Sequence, residues 1–155
     1  MQKRIVGGAR ENRPADGPWL DLERLVRVEL TSEDAVHPVE SALLTSGGPG
    51  WRAAEPGEQT IRLLFHDPQR LRRIWLRFVE AGAERTQEFV LRWSPDGRSF
   101  RDVVRQQYTF SPTGATSEVE DLAVELAPVT ALELTIVPDQ GRGRACASLA
   151  EWRIA

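Results

Sequence analysis

Hydrophobic and polar residues alternate along most of the chain, which is the pattern of half-buried β-strands. The clearest case is residues 72–79, where Ile74, Leu76 and Phe78 share one face of the predicted strand. Seven or eight strands without regular helical insertions indicate an antiparallel sandwich or barrel, because a parallel sheet needs crossover helices. The same alternation predicts the other strands at residues 25–30, 59–65, 89–93, 100–110, 118–126, 131–137 and 149–154.

Turn-forming residues separate these strands. The segment 94–97, Ser-Pro-Asp-Gly, predicts a hairpin, because proline presets φ and glycine accepts the positive φ that closes the turn. Pro68 predicts the end of the strand at 59–65, since proline cannot continue the hydrogen-bond ladder. Glycine and proline predict a long loop at 45–57 and a loosely organised segment at 1–18. No break in composition divides the chain, so we expect one domain over residues 1–155.

Composition and charge exclude several classes of protein. The chain has 41% hydrophobic and 28% charged residues, as ordinary globular domains do. Its formal net charge of −3 argues against a nucleic-acid partner. Cys146 is the only cysteine, so no intrachain disulfide can form. No apolar run has the length of a signal peptide or a bilayer span, and we expect a cytoplasmic protein without a transmembrane segment.

The sequence carries no recognised catalytic or metal motif. The two histidines and Cys146 are widely separated, with no C-x-x-C or H-E-x-x-H spacing, and there is no G-x-S-x-G. Glu118, Glu120 and Asp121 could collect a cation, but an acidic run at a strand start is more typical of a solvated edge. We therefore expect a protein that binds and does not catalyse.

Several segments in order resemble the discoidin, or coagulation-factor type C, family of galactose-binding-like jelly rolls. They are Gly50-Trp51-Arg52-Ala53, the I-x-L-x-F strand at 61–65, the strand at 74–78, the F-x-L-x-W-S-x-D-G hairpin at 89–97 and the A-S-L-A-E-x-x-I segment at 147–154. This resemblance covers about residues 25–155. It implies an all-β sandwich of the jelly-roll type and a non-catalytic module that binds carbohydrates, membrane surfaces or proteins through loops at one end.

The resemblance also implies a structural calcium near the chain termini, to which Glu151 would contribute. Two features of the family are missing here. Glycines and a proline at 47–50 replace the Asp-Gly that often precedes the loop tryptophan, and the paired cysteines of extracellular members are absent. Calcium takes six to eight oxygen ligands, and Glu151 is the only one that the motif supplies here.

A carbohydrate-binding module is the first function that fits such a scaffold. The loops at 45–57 and 141–147 would form a shallow site in which Trp51 stacks on a sugar while Arg52 and Arg144 donate hydrogen bonds. Tyr108 is a further aromatic candidate. Packing against the core is the alternative for Trp51 and for Tyr108.

A cytoplasmic scaffold for protein–protein interaction is the second function. The alternation places Trp75 outward between Arg73 and Arg77, and tryptophan and arginine are residue types that anchor protein interfaces. A sheet face covered by the N-terminal segment would explain Trp75 equally well. The sequence therefore predicts either a carbohydrate or a protein as the partner.

Overall fold

The computed structural model describes residues 19–44, 47–141 and 143–155, so the predicted segment 1–18 lies outside the described residues. Within these ranges, strands make up most of the structure, and no helix is long and apolar enough to cross a membrane. The elements in chain order are α1 (Leu22–Leu25), β1 (Val26–Leu30), α2 (Glu40–Leu43), β2 (Trp51–Pro56), β3 (Gln59–Val79), β4 (Arg85–Ser94), β5 (Arg101–Phe110), β6 (Ser117–Val137), β7 (Cys146–Leu149) and β8 (Glu151–Ile154).

The two longest strands, β3 and β6, each take part in both layers of a sandwich. They pair antiparallel over two stretches, 59–64 with 131–136 and 71–79 with 117–126, and the register shifts between these stretches. The first stretch is extended by β1 on one side and by β4 and then β5 on the other. The second stretch is extended by β8, which pairs with β3. A separate small sheet joins β2 to β7.

The two layers enclose one hydrophobic core. Phe78 in the second layer and Phe89 in the first have ring centroids 5.0 Å apart, although their strands do not pair. Full burial of each large apolar side chain contributes about 1.5–3 kcal/mol relative to exposure. The largest fully buried side chains include Trp51, Trp75, Trp152, Phe78, Phe89, Phe110, Ile61, Leu63, Leu71, Ile74, Leu76 and Leu91. The predicted all-β antiparallel sandwich is therefore confirmed.

The hairpin predicted at 94–97 is also confirmed, and local chemistry explains it. Gly97 has φ +78°, a left-handed conformation that glycine adopts without strain. The hydroxyl of Ser94 accepts the N–H of Gly97 at 2.8 Å, and the Asp96 carboxylate accepts the N–H of Ser99 at 2.9 Å. These bonds satisfy the turn, so β5 pairs back on β4 from Arg101.

Other strand ends differ from the prediction. Pro68 does not end a strand: it lies in the register gap between Leu64 and Gln69, where no pairing to β6 requires its missing N–H. The predicted strands at 118–126 and 131–137 are likewise one strand, β6. The predicted loop at 45–57 contains β2, and the predicted strand at 149–154 is divided at Ala150 into the end of β7 and β8.

Candidate functional site

Trp51 lies in the core and not on a binding surface. Its side chain is 1% exposed, and its indole N–H donates to the backbone oxygen of Ser32 at 3.1 Å. Gly50 fixes this position, because it has φ +74° and a Cβ there would lie 2.6 Å from the backbone oxygen of Leu149. The prediction that Trp51 stacks on a sugar is therefore wrong, and its ring packs among core residues instead.

Arg52 and Arg144 are both exposed, as a loop site would require. The backbone of Arg52 donates to His37 O at 3.1 Å and accepts from Asp34 N at 2.8 Å. The Asp34 carboxylate lies 3.0 Å from the His37 ring, which lowers the pKa of Asp34 chiefly by hydrogen bonding. Arg144 lies between β6 and β7, and Arg52 lies on β2, which pairs with β7. Sugar binding by these two arginines stays a prediction.

The predicted interface around Trp75 is not an open surface. Trp75 is 1% exposed. On the same face, Arg153 of β8 lies opposite it in the strand register and donates to Ala42 O of α2 at 2.7 Å. Arg73 lies over the Trp19 ring at 5.0 Å, and it also pairs with the Asp121 carboxylate. Trp75 is buried but is not part of the core cluster, which agrees with the predicted side of the sheet. The prediction of an open interface there is wrong, because segments of the chain itself cover this face. A protein partner has no access to its ring.

Glu151 does not fit the calcium site that the resemblance implies. The side chain is buried, and its two carboxylate oxygens lie 3.0 Å from Arg77 Nη2 and 3.6 Å from Arg153 Nη2. Guanidinium groups have no lone pair to offer a metal ion, and their positive charge opposes one. Within the described ranges, no group of three or more His, Cys, Asp or Glu side chains could hold a metal. The two arginines neutralise Glu151 here.

Tyr108 lies in a polar cleft of about 400 Å³ between the open edges of the two layers. Among the described strands, one wall is β5, which pairs only with β4, and the other is the start of β6, which pairs there only with β3. The hydroxyl of Tyr108 bridges the edges by donating to Ser117 O at 3.0 Å. The residues that line the cleft are Gln106, Gln107, Tyr108, Ser117, Glu118, Val119 and Glu120.

Two carboxyl groups of β6 define the chemistry of this cleft. Glu118 is 5% exposed, and its Oε1 has no hydrogen-bond partner among the described residues. Burial and, secondarily, a hydrogen bond and negative charge from Glu120 raise the pKa of Glu118 to about 8. Near neutral pH Glu118 therefore holds a proton that it shares with Glu120.

This pair was not predicted, because an acidic run at a strand start is more typical of a solvated edge. The alternation already contained the signal: Glu118 and Glu120 have the same parity as Leu122, Val124 and Leu126, which pack against the core. Asp121, of opposite parity, is exposed and pairs with Arg73, as the earlier interpretation expected. Only the inward carboxylates of the run contribute to the cleft.

Comparisons with known proteins support the fold. No protein-family model matches the sequence, and no curated protein matches it. Among solved structures, a CBM32 module from Clostridium perfringens in complex with GalNAc-β-1,3-galactose has a TM-score of 0.62 at 17% identity, over 88% of this chain and 99% of that chain. The CBM32 module of AlyQ in complex with 4,5-unsaturated mannuronic acid has a TM-score of 0.64 at 16% identity, over 90% and 98%.

A pectin-binding carbohydrate-binding module is similar as well, with a TM-score of 0.59 at 16% identity over 84% of this chain and 90% of that chain. Identities this low establish the fold alone. The chain thus has the galactose-binding-like jelly roll found in CBM32 modules, which confirms the fold that the sequence resemblance predicted.

Proposed function

We propose that this chain is a non-catalytic carbohydrate-binding module and that its ligand occupies the cleft between β5 and β6. The observation that carries the proposal is the cleft itself. Its volume of about 400 Å³ lies in the usual range of ligand pockets, roughly 300–1,000 Å³. It opens between two sheet edges, so a sugar reaches it without movement of the core.

The side chains in the cleft suit a polyhydroxylated ligand. Gln106 offers an amide donor and acceptor, and Glu118 and Glu120 offer acceptors for hydroxyl groups. Tyr108 supplies an aromatic ring, which packs edge-on against Phe110 at 5.0 Å and is therefore held in place. An aromatic ring among convergent polar groups is typical of small-molecule sites.

The similar structures support a sugar as the class of ligand. Their bound or named ligands are GalNAc-β-1,3-galactose, 4,5-unsaturated mannuronic acid and pectin. These ligands differ in charge and in linkage, so they support carbohydrate binding in general. The chemistry of this chain's own cleft has to decide which sugar it binds.

A glycan array followed by calorimetric titration of the best sugar tests the proposal. We expect Gln106→Ala to weaken binding about tenfold, because a polar contact to the ligand is lost. Thr109→Ala is the matched control: Thr109 lies on the same strand but is exposed on the opposite face, and it bonds to Thr86 at 2.9 Å. The control should bind as the native chain does.

Two results would contradict the proposal. A glycan array without any saturable ligand would contradict carbohydrate binding. A ligand whose affinity is unchanged by Gln106→Ala and falls in Arg52→Ala or Arg144→Ala would move the site to the loop end. Recovery of the titrated sugar unchanged after incubation tests the absence of catalysis.

A further inference from the structure

Among the buried carboxylates of the described residues, Glu118 differs in having no cation beside it. Arginine side chains pair with the buried Glu133 and Glu151 and with the half-buried Glu80. No ion pair involves Glu118 or Glu120 in the part of the chain that the structure describes. The cleft thus holds the buried carboxyl group of Glu118 beside the half-buried Glu120, and a proton on Glu118 lowers the charge of the pair.

The unpartnered oxygen of Glu118 indicates which group would complete this pair. It is an acceptor without a donor in a cleft that is open to a ligand. A hydroxyl group can donate one hydrogen bond, but it leaves the second carboxylate uncompensated. A protonated primary amine supplies three donors and one positive charge, which is what two adjacent carboxylates lack. A calcium ion would need six to eight oxygens, and no group of three potential ligands exists within the described residues.

We infer that the cleft recognises a sugar bearing a protonated primary amine, an amino sugar, with the ammonium group between Glu118 and Glu120. The inference rests on the proposed function, whose ligand class it narrows. The sugar ring lies toward Tyr108, and Gln106 bonds to its hydroxyl groups. The acidic net charge of −3 favours the approach of such a ligand.

Binding displaces the shared proton. In the free protein Glu118 is protonated near neutral pH; in the complex the ammonium group takes the place of that proton, which leaves to the buffer. Glu120 on β6 and Tyr108 on β5 are the other titratable groups in the cleft, and Phe78 lies opposite Glu118 on β3. An amine therefore binds with release of up to one proton, whereas a neutral sugar releases none.

Calorimetric titration with a glucosamine disaccharide and with its N,N′-diacetyl form tests the inference. Titrations in two slightly acidic buffers that differ in ionisation enthalpy also give the number of protons released. We expect the free amine to bind at least about tenfold more tightly than the acetylated form, because it forms charged hydrogen bonds. Glu118→Gln and Glu120→Gln should abolish this preference and the proton release.

Glu125→Gln is the matched control, because it makes the same change on the same strand at an exposed position. It should keep the preference for the amine. The thermal midpoint of each variant shows whether it folds, and we expect Glu118→Gln to fold because an amide resembles the neutral carboxylic acid that the native cleft contains.

The possible results separate the inference from the proposed function. Equal binding of both disaccharides, weakened in Gln106→Ala, would overturn the recognition of an amine but would support carbohydrate binding in the cleft. Binding of putrescine but of neither disaccharide, lost in Glu118→Gln, would overturn both the amino sugar and the carbohydrate module. Calcium that displaces the disaccharide from the native chain but has no effect on Glu118→Gln would assign the pair to a metal and overturn the inference.

Discussion

Glu151 and Glu118 are both buried glutamates on the second layer of the sandwich, yet their surroundings are opposite. Glu151 faces the covered side of the sheet, where Arg77 and Arg153 compensate its charge. Glu118 faces the cleft, where its nearest charged neighbour is another carboxylate and its charge is suppressed by a proton. Buried carboxylates need either a counter-charge or a proton, and this chain uses both solutions.

The difference separates a structural carboxylate from a candidate binding one. One carboxylate oxygen of each residue has no hydrogen-bond partner among the described residues. That oxygen of Glu151 lies 3.6 Å from Arg153 Nη2, so a cation compensates it, whereas no described cation pairs with Glu118. Binding sites commonly hold polar groups at a cost in stability. The two residues should therefore respond to the same substitution with opposite changes in stability.

Glu151→Gln should produce the largest effect. It leaves the largely buried guanidinium groups of Arg77 and Arg153 without their counter-charge. Breaking such a pair lowers the free energy of unfolding by about 3–5 kcal/mol. Burial already lowers the pKa of Arg153, against the stabilising influence of Glu151. Urea denaturation of the variant and the native chain measures the loss. A thermal midpoint that rises with calcium in the native chain would contradict the assignment of Glu151 to arginine alone.

Glu118→Gln should raise the free energy of unfolding above mildly acidic pH, which is opposite to the effect of Glu151→Gln. The folded state holds the proton of Glu118 up to a pKa of about 8, whereas the unfolded state loses it near 4.5, so native stability falls as pH rises between these values. The slope is on the order of 1 kcal/mol per pH unit. The amide cannot ionise, so the variant lacks this slope and is more stable than the native chain near pH 8.

Urea denaturation at about pH 5 and about pH 8 checks this prediction, with Glu125→Gln as the control that keeps the native slope. Equal slopes in the native chain and in Glu118→Gln would mean that Glu118 is ionised throughout. The comparison between the two glutamates would then be lost, because neither would hold a proton in the folded state.

Glu120→Gln should have a smaller effect of the same kind. The substitution removes the negative charge beside Glu118, so the pKa of Glu118 falls, but burial is the larger cause of its shift and keeps that pKa above the ordinary value. Titration of the Glu118 side-chain carbon by NMR measures the change. Asp121→Asn, on the neighbouring outward position, should leave the Glu118 titration nearly unchanged.

The sequence predicts what depends on nearest neighbours and on strand alternation. The Ser94–Gly97 turn follows from proline and glycine chemistry, and the strands follow from period-two patterns. Pro68 was misleading because a strand that passes between layers has a gap in its register, which local sequence does not show. Alternation gives the side of the sheet on which Trp75 lies, but not the segments that cover that side.

The candidate site shows the same boundary between local and distant information. Parity alone places Glu118 and Glu120 on the inward face, so half of the cleft could have been predicted. Its other half, Gln106 and Tyr108, approaches only because β5 and the start of β6 are the free edges of facing layers. Arg77 and Glu151 are likewise 74 residues apart in the sequence. Whether a buried glutamate is neutralised by an arginine or by a proton can therefore be determined only from the structure.

Glu125→Gln should produce the smallest effect and so sets the scale for the other substitutions. Glu125 pairs with Arg70 at the surface, and the two side chains are 60% and 59% exposed. Water and salt screen such a pair, so we expect a loss of between 0 and about 1 kcal/mol in unfolding free energy, without dependence on pH between 5 and 8. Urea denaturation at low and high salt measures it. A loss as large as that of Glu151→Gln would show that burial does not govern the effect of carboxylates on this sheet, and the contrast between Glu151 and Glu118 would then need another cause.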